Sequence, residues 1–434
     1  MKRFLLFLSD YGMLVVLLVL CAVFSILTLE KQNATGADGA ASLAVQINAE
    51  FEKDDPIFIA AGTSPDDAAF VDKLEEALAE SGFTNVKSAA GSPPKVKTAL
   101  RELENEPRGI AMSPSTSGWK IWGDLPNVRR LSPSEGFWPV FLNQQNLLSI
   151  ASQISVIAIM AIGMTLVIIT AGIDLSVGSL LAFTSVATAW CIEYLGAENA
   201  GVSGMIVGSL LGIFAGGLWG LFSGGMITAF RLPPFIVTLS VMLMASGLAY
   251  VWSNGTSIHD LPESYIWLGR GFVFGIPTSL ILMIVLYIAA HLMMSRTALG
   301  RYIYAVGGNP EAARLSGVPV RRVLIVVYTL CGLLAGLAGV VTTSKLEAGS
   351  PTFGDLKELM VIAAVVVGGT SIAGGSGRIF GTLIGAFIIS VIQTGLNLMG
   401  VTQYWQTFVL GAVILIAVLL DRMKHHLLNP NRLS

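Results

Sequence analysis

Ionisable side chains are scarce in this chain of 434 residues: 12% are charged, about half the roughly 25% of an ordinary soluble domain. So few polar groups cannot cover a surface of this size in water, which excludes a soluble globular protein and makes lipid the solvent. The hydrophobic share of 53% and the mean hydropathy of +0.72 agree. Cysteine is scarce too. Cys21, Cys191 and Cys331 are widely separated in apolar runs, which excludes a disulfide frame or a cysteine metal site and marks them as small buried residues. The formal charge of −2 gives no basic surplus for nucleic acid.

Energy-converting motifs are missing as well. No Gly-x-x-x-x-Gly-Lys-Ser/Thr run is present, so any ATP hydrolysis belongs to another chain. The glycine-rich stretch 368–377 has Arg378 where a phosphate loop needs Lys-Ser/Thr, and it lies between two apolar runs; it reads as a tight turn. Carriers driven by protons or sodium need buried acids or a coordinating cluster. Asp174 is the only candidate deep within a predicted span, so an external energy source is the simpler reading. There is no sign of a catalytic centre, a metal site or a cofactor on this chain.

What the chain does have is apolar runs. About 20 apolar residues cross the hydrocarbon of a bilayer, and such runs lie near 11–29, 147–170, 175–195, 204–230, 234–253, 278–295, 323–344, 357–371, 379–399 and 405–420. A short re-entrant piece near 171–178 is an option. The fold class is therefore an all-α integral membrane protein with about ten transmembrane helices. Lys2 and Arg3 precede the first run, but no small-x-small cleavage site follows, so 1–29 reads as an uncleaved first helix. Basic residues set the orientation. With the N-terminus inside, Lys2, Arg3, Arg231, Arg296, Arg301, Arg314, Arg321, Arg322, Arg378, Arg422, Lys424 and Arg432 fall on the cytoplasmic side. Only Arg270, Lys345 and Lys357 fall on the short outer loops. Both termini are then cytoplasmic in a multi-pass membrane protein.

Residues 30–140 differ in composition. Between 30 and 135 there are 17 acidic and 11 basic side chains, a net of −6. Pro56–Gly62 reads as a strand ending in a turn. Ser64 reads as a helix cap with Pro65 at the first position, followed by Phe70, Leu74, Ala77 and Leu78 at helical spacing and by Gly82 as a stop. Strands at 86–90 and 109–112 and a helix at 94–106 complete a small α/β insert with a short parallel sheet, placed outside the cell. It reads as a spacer with its own core or as a docking or sensing module. The remaining domains are the membrane domain 141–424, with a cytoplasmic loop at 296–322, and a cytoplasmic tail 425–434.

That loop is the most informative segment. Asn309-Pro310-Glu311 suits a helix start: Asn as cap, Pro in the first turn, Glu toward the positive helix end. Ala312, Ala313 and Leu315 continue a short helix, which Gly317 and Pro319 stop. So short a helix is unstable alone and needs a partner surface. Glu311-Ala312-Ala313 followed by Gly317 resembles the coupling-helix motif of ABC importer permeases. Three further stretches, 162–179, 232–239 and 367–378, resemble the ribose-type, monosaccharide-importing branch of that family. The insert at 30–135 departs from the family, which usually has a short loop there.

The resemblance implies a transmembrane permease subunit, not itself an enzyme, that translocates a monosaccharide or similar small polar solute. It implies a cytoplasmic ABC ATPase carrying ATP and magnesium, an extracytoplasmic solute-binding protein and a second permease copy, a homodimer. Asn309, Pro310, Glu311, Ala312, Ala313 and Gly317 would couple the chain to the ATPase. Polar residues within apolar runs, Gln153, Thr165, Asp174, Gln393 and Asn397, are candidates for the solute path; they suit helix–helix hydrogen bonds equally well. Gly172 breaks a helix, and Asp174 fits the cap of the next. Glycines at every fourth position from Gly204 to Gly224, matched by Gly332, Gly336, Gly381 and Gly385, read as close helix packing in lipid, with a pore lined by backbone as the sharper alternative. Two rival functions remain: a membrane-anchored sensor that uses the insert, and a secondary carrier.

Overall fold

Apolar runs in lipid become helices because nothing around them can partner a free N–H or C=O. The computed structural model describes residues 2–103, 106–124, 128–133 and 135–428. It divides into a membrane unit, Met1–Thr28 with Phe141–Ser434, and an inserted unit, Leu29–Val140.

Helix α1 (Lys2–Leu27) leads to the inserted unit, which contains β1 (Leu29–Asn33), α2 (Gly36–Glu50), β2 (Ile57–Ala61), α3 (Pro65–Glu80), β3 (Val86–Ala90), α4 (Pro93–Arg101), β4 (Gly109–Met112), β5 (Arg129–Leu131) and β6 (Glu135–Pro139). Strands β3-β2-β4-β5 form a parallel sheet. Every residue of β2 and β4 is buried, as central parallel strands require. Ile57 and Ile59 point to one side, against Leu43 and Ile47 of α2 and Phe70, Leu74 and Leu78 of α3; Phe58 and Ala60 point to the other, with Val96 and Trp122. The helix predicted over 94–106 ends at Arg101, and residues 104–105 are outside the described ones. Strands β1 and β6 pair antiparallel, Leu29 with Pro139 through Asn33 with Glu135. The entry and exit of this unit are thereby side by side.

The membrane unit continues with α5 (Gln144–Ile169), α6 (Val177–Tyr194), α7 (Val202–Phe230), α8 (Pro234–Trp252), a short α9 (Trp267–Arg270), the hairpin β7 (Phe272–Val273) and β8 (Ile276–Pro277), α10 (Thr278–Arg296), α11 (Ala298–Gly308), α12 (Pro310–Leu315), α13 (Val320–Leu346), α14 (Lys357–Val367), α15 (Ile379–Leu398) and α16 (Gln403–Leu428). Among the described residues seven helices are long and apolar enough to cross a membrane: α5, α6, α7, α8, α10, α13 and α15. Shorter apolar stretches lie in α1 (Gly12–Leu27) and α16 (Gln403–Ile416). Within the tail predicted at 425–434, residues 429–434 lie outside the described ones.

The run predicted as a span over 357–371 is corrected. Helix α14 has 11 residues, roughly 16 Å at 1.5 Å each, about half the hydrocarbon thickness. The other half is non-helical backbone, 347–356, bracketed by Glu347 and Leu356 at positive φ. Its middle is buried against α6: Ser185 Oγ donates to Ser350 O (3.2 Å) and accepts from Ser350 N (3.3 Å). Irregular backbone at this depth persists only where protein satisfies it in this way.

The glycine repeat lies at the closest helix crossings. A methyl group added to Gly216 would meet Gly332 O at 2.4 Å, and one on Gly332 would meet Gly216 O at 2.2 Å. Gly220 abuts Tyr328 O and Gly224 abuts Ile325, so α7 and α13 run antiparallel with backbones touching. Gly381 and Gly385 meet Gly368 and Ala364 likewise. These glycines pack helix on helix, which decides against the pore alternative for them.

Candidate functional site

At one end of the membrane unit, four stretches far apart in sequence meet. Asn309 caps α12: its side chain accepts from Ala312 N at 2.9 Å, with Pro310 at the first position. Glu311 and Arg314 pair at 2.9 Å on the exposed face. Gly317 takes φ +82°, a conformation that favours glycine, and lets Val318 N reach Ala313 O at 3.0 Å. Of Glu311 through Leu315 only Ala313 is buried, and Leu315 is 83% exposed. The helix therefore seats one face on the bundle through Ala313 and offers on the other an apolar side chain, Leu315, beside an ion pair.

Its neighbour α11 is anchored firmly. Tyr304 Oη donates to Gly377 O at 2.8 Å. At Gly307 a Cβ would sit 1.7 Å from Ile169 O and 2.7 Å from Gly375 N, while Gly375 N donates to that same Ile169 O at 2.9 Å. The end of α5, the turn 370–378 and α11 are thus locked backbone to backbone. The break between α5 and α6 is clamped from α8: Thr238 Oγ1 donates to Ile173 O and accepts from Leu175 N, both at 3.2 Å. All four motif-bearing stretches converge on this end.

At the opposite end lies a cavity of about 820 Å³. It is bounded by the first turns of α5 (Ser149, Ser152, Gln153), the last turns of α13 (Thr342, Lys345), the β7–β8 hairpin (Phe272, Pro277), and Phe353 and Lys357 at the start of the half-helix. Its volume is that of a small-molecule site. It is built where a discontinuous helix meets full-length ones, the arrangement in which transporters expose backbone to solute.

Residues 146–418 match the family described as branched-chain amino acid transport system / permease component. The chain belongs to that family. It is 46% identical over 291 residues to the ribose import permease protein RbsC of Escherichia coli, covering 66% of this chain and 88% of the relative. The Bacillus subtilis ribose import permease protein RbsC is 47% identical over 290 residues, with 66% and 87% covered. The Escherichia coli xylose transport system permease protein XylH is 33% identical over 345 residues, with 65% and 86% covered. No solved structure matches. The chain is thus the membrane-spanning permease of an ABC importer, a family that works with an ATPase and a substrate-binding protein.

The permease separates the five residues predicted for the solute path. Gln153 lines the cavity. Thr165 is buried between α5 and α15, its Oγ1 2.7 Å from Thr382 Oγ1 and donating to Ala161 O. Gln393 Nε2 reaches Met360 Sδ at 3.5 Å, and Asn397 Oδ1 accepts from Gln406 Nε2 at 2.6 Å. Asp174 is 1% exposed in the α5–α6 break. The reading of Asp174 as helix cap is corrected: Ser176 holds that position, and Asp174 Oδ1 accepts Ser176 N (2.9 Å) and Oγ (2.6 Å) from two residues upstream. Asp174 is also not alone in the bundle. Glu358 at the start of α14 is half-buried against Gly178, where a methyl group would meet its Oε2 at 2.3 Å. The cavity residues that pattern reading missed include Arg270, Lys345 and Lys357, the hydroxyls of Ser149, Ser152 and Thr342, and the two phenylalanines. Their signal was in the charge map, since Arg270, Lys345 and Lys357 are the three basic residues predicted for the short outer loops, and all three line the cavity.

Proposed function

We propose that this permease forms the transmembrane path of an ATP-driven importer for a monosaccharide or a similar small polar solute. ATP and magnesium are held by a cytoplasmic ABC ATPase on a separate chain, the solute is delivered by an extracytoplasmic binding protein, and two permease copies form the path. Both termini and the α11–α12 end face the cytoplasm; the inserted unit and the cavity face outward. One observation carries the reading: α12 exposes Leu315 and Glu311 on a helix too short to stand alone, while its neighbour α11 is locked to the end of α5 and to the turn 370–378. A push on this pair reaches the helices that bound the cavity. The relatives' names, ribose import and xylose transport permeases, support a sugar.

The test is Glu311→Lys and Leu315→Asp in the assembled importer. Both side chains are exposed, so the permease unfolds at an unchanged temperature. Solute-stimulated ATP turnover falls about tenfold or more, as for loss of an interface anchor. Wild-type turnover in both variants argues against the coupling role.

A further inference from the structure

The cavity wall has an unusual charge. Its lining holds three basic side chains, Arg270, Lys345 and Lys357, and no acidic one. Arg270 is accounted for by Glu347, whose Oε1 lies 2.7 Å from its Nη1. Lys345 and Lys357 have no acid within ion-pair distance among the described residues, and both line the same cavity as Arg270. The acid next in sequence, Glu358, turns away toward Gly178 of α6. Two ammonium groups with no acidic partner in the wall of a membrane protein are costly. Nothing in the wall offsets that cost, so an anion entering the cavity would.

The rest of the wall matches a polyol. Ser149, Ser152, Gln153 and Thr342 offer neutral hydrogen-bonding groups, and Phe272 and Phe353 offer rings for a sugar's apolar face. We infer that the cavity selects a sugar bearing an anionic group, a carboxylate or a phosphate, held by Lys345 and Lys357 while hydroxyl and amide groups take its hydroxyls. A lysine pair suits this role, because an ammonium is a compact point charge on a flexible stem that binds carboxylate or phosphate alike. The inference rests on the importer reading above and narrows its solute class.

The test uses the full assembly, permease with its ATPase and binding protein, in proteoliposomes. The labelled probes are ribose and glucose, the corresponding aldonates, and ribose 5-phosphate and glucose 6-phosphate. The wild-type importer accumulates at least one anionic probe in an ATP-dependent manner. Lys345→Gln with Lys357→Gln lowers that uptake about tenfold or more, the effect of losing charge-assisted bonds, and lowers uptake of a neutral probe much less. Lys345→Arg with Lys357→Arg keeps most of it. Co-sedimentation of the binding protein with the vesicles is unchanged in every variant. Accumulation of neutral probes alone overturns the inference and leaves the importer reading standing. Equal loss for neutral and anionic probes, or loss of binding-protein docking in the Gln variant, also overturns it and makes the lysines structural or docking contacts. No ATP-dependent accumulation of any probe sinks the importer reading and this inference with it.

Discussion

Asp67 shows how much one carboxylate can organise. Ser64 Oγ accepts from Asp67 N at 3.1 Å while Asp67 Oδ2 accepts from Ser64 N at 3.2 Å, a reciprocal cap on α3. Asp67 Oδ1 also accepts from Ser115 Oγ at 2.7 Å. Burial works to raise its pKa, but hydrogen bonds from serines 113, 115 and 64 outweigh it, and the carboxyl is held below its ordinary value. A depressed acid contributes stability above the unfolded value of about 3.9 that is lost as pH falls through the folded one. Amide protection in β2 and α3 of the full-length permease, taken relative to the intrinsic exchange rate at each pH, should therefore fall as pH drops below about 4. In Asp67→Asn protection should already be lower at pH 7 and should lose most of that dependence. An unchanged acid profile in the variant would assign the effect to other groups. Half of this cap was legible: Ser64 and Pro65 announce it within four residues. The bond from Ser115 crosses 48 residues and leaves no local trace. The path candidates failed to converge for the same reason. Gln153 and Thr165 look alike as polar residues in an apolar run, yet one lines a cavity and the other joins α5 to α15. Which face looks where is set by neighbours, not by the run itself.

Helices α7 and α13 meet through glycine because only a missing side chain lets two backbones touch. Fourfold spacing puts small residues on one stripe, which is why this contact could be read from the sequence. Gly216→Val and Gly332→Val each force a branched side chain into a carbonyl about 2.4 Å or less from the added carbon. Overpacking costs about 1–3 kcal/mol, and rigid backbone on the far side puts these at or above the upper end. The melting temperature of the purified permease should drop by several degrees, while Gly225→Val, where nothing lies within 4 Å, should leave it nearly unchanged. Equal melting of all three would refute the packing role. The half-helix α14 was not legible, because Val361–Val367 runs through Gly368 and Gly369 toward Ile372 and mimics a full span. What shortens it is tertiary: α6 supplies Ser185 and the smooth surface at Gly178 that make a non-helical 347–356 tolerable. Helix α2 also went unread, since Gly36 and Gly39 at its start resemble a linker; its helicity comes from burying Leu43 and Ile47 on the sheet.

Across the whole molecule, the abrupt change of composition at 30 and again near 140 was plain in the sequence, because charge cannot be hidden in lipid. The pairing of β1 with β6 was not, since Leu29–Asn33 and Glu135–Pro139 carry no shared pattern. Its geometry makes excision simple. Paired strands lie about 5 Å apart, and beyond them Phe141 N donates to Thr28 Oγ1 at 3.2 Å within the membrane unit. Joining Thr28 to Phe141 through two or three glycines should give a permease that still assembles with its ATPase and retains a measurable part of ATP-dependent uptake. Complete loss of uptake with normal assembly and solute-independent ATP turnover would favour the sensor reading.

The same stem restricts what the inserted unit can signal. A relay would have to move α1 relative to α5, since those are the helices it is strung between. Both chain ends leave through one hydrogen-bonded ribbon, so a rearrangement inside the unit reaches the two helices as a shared displacement. Only unzipping the ribbon would turn it into a lever.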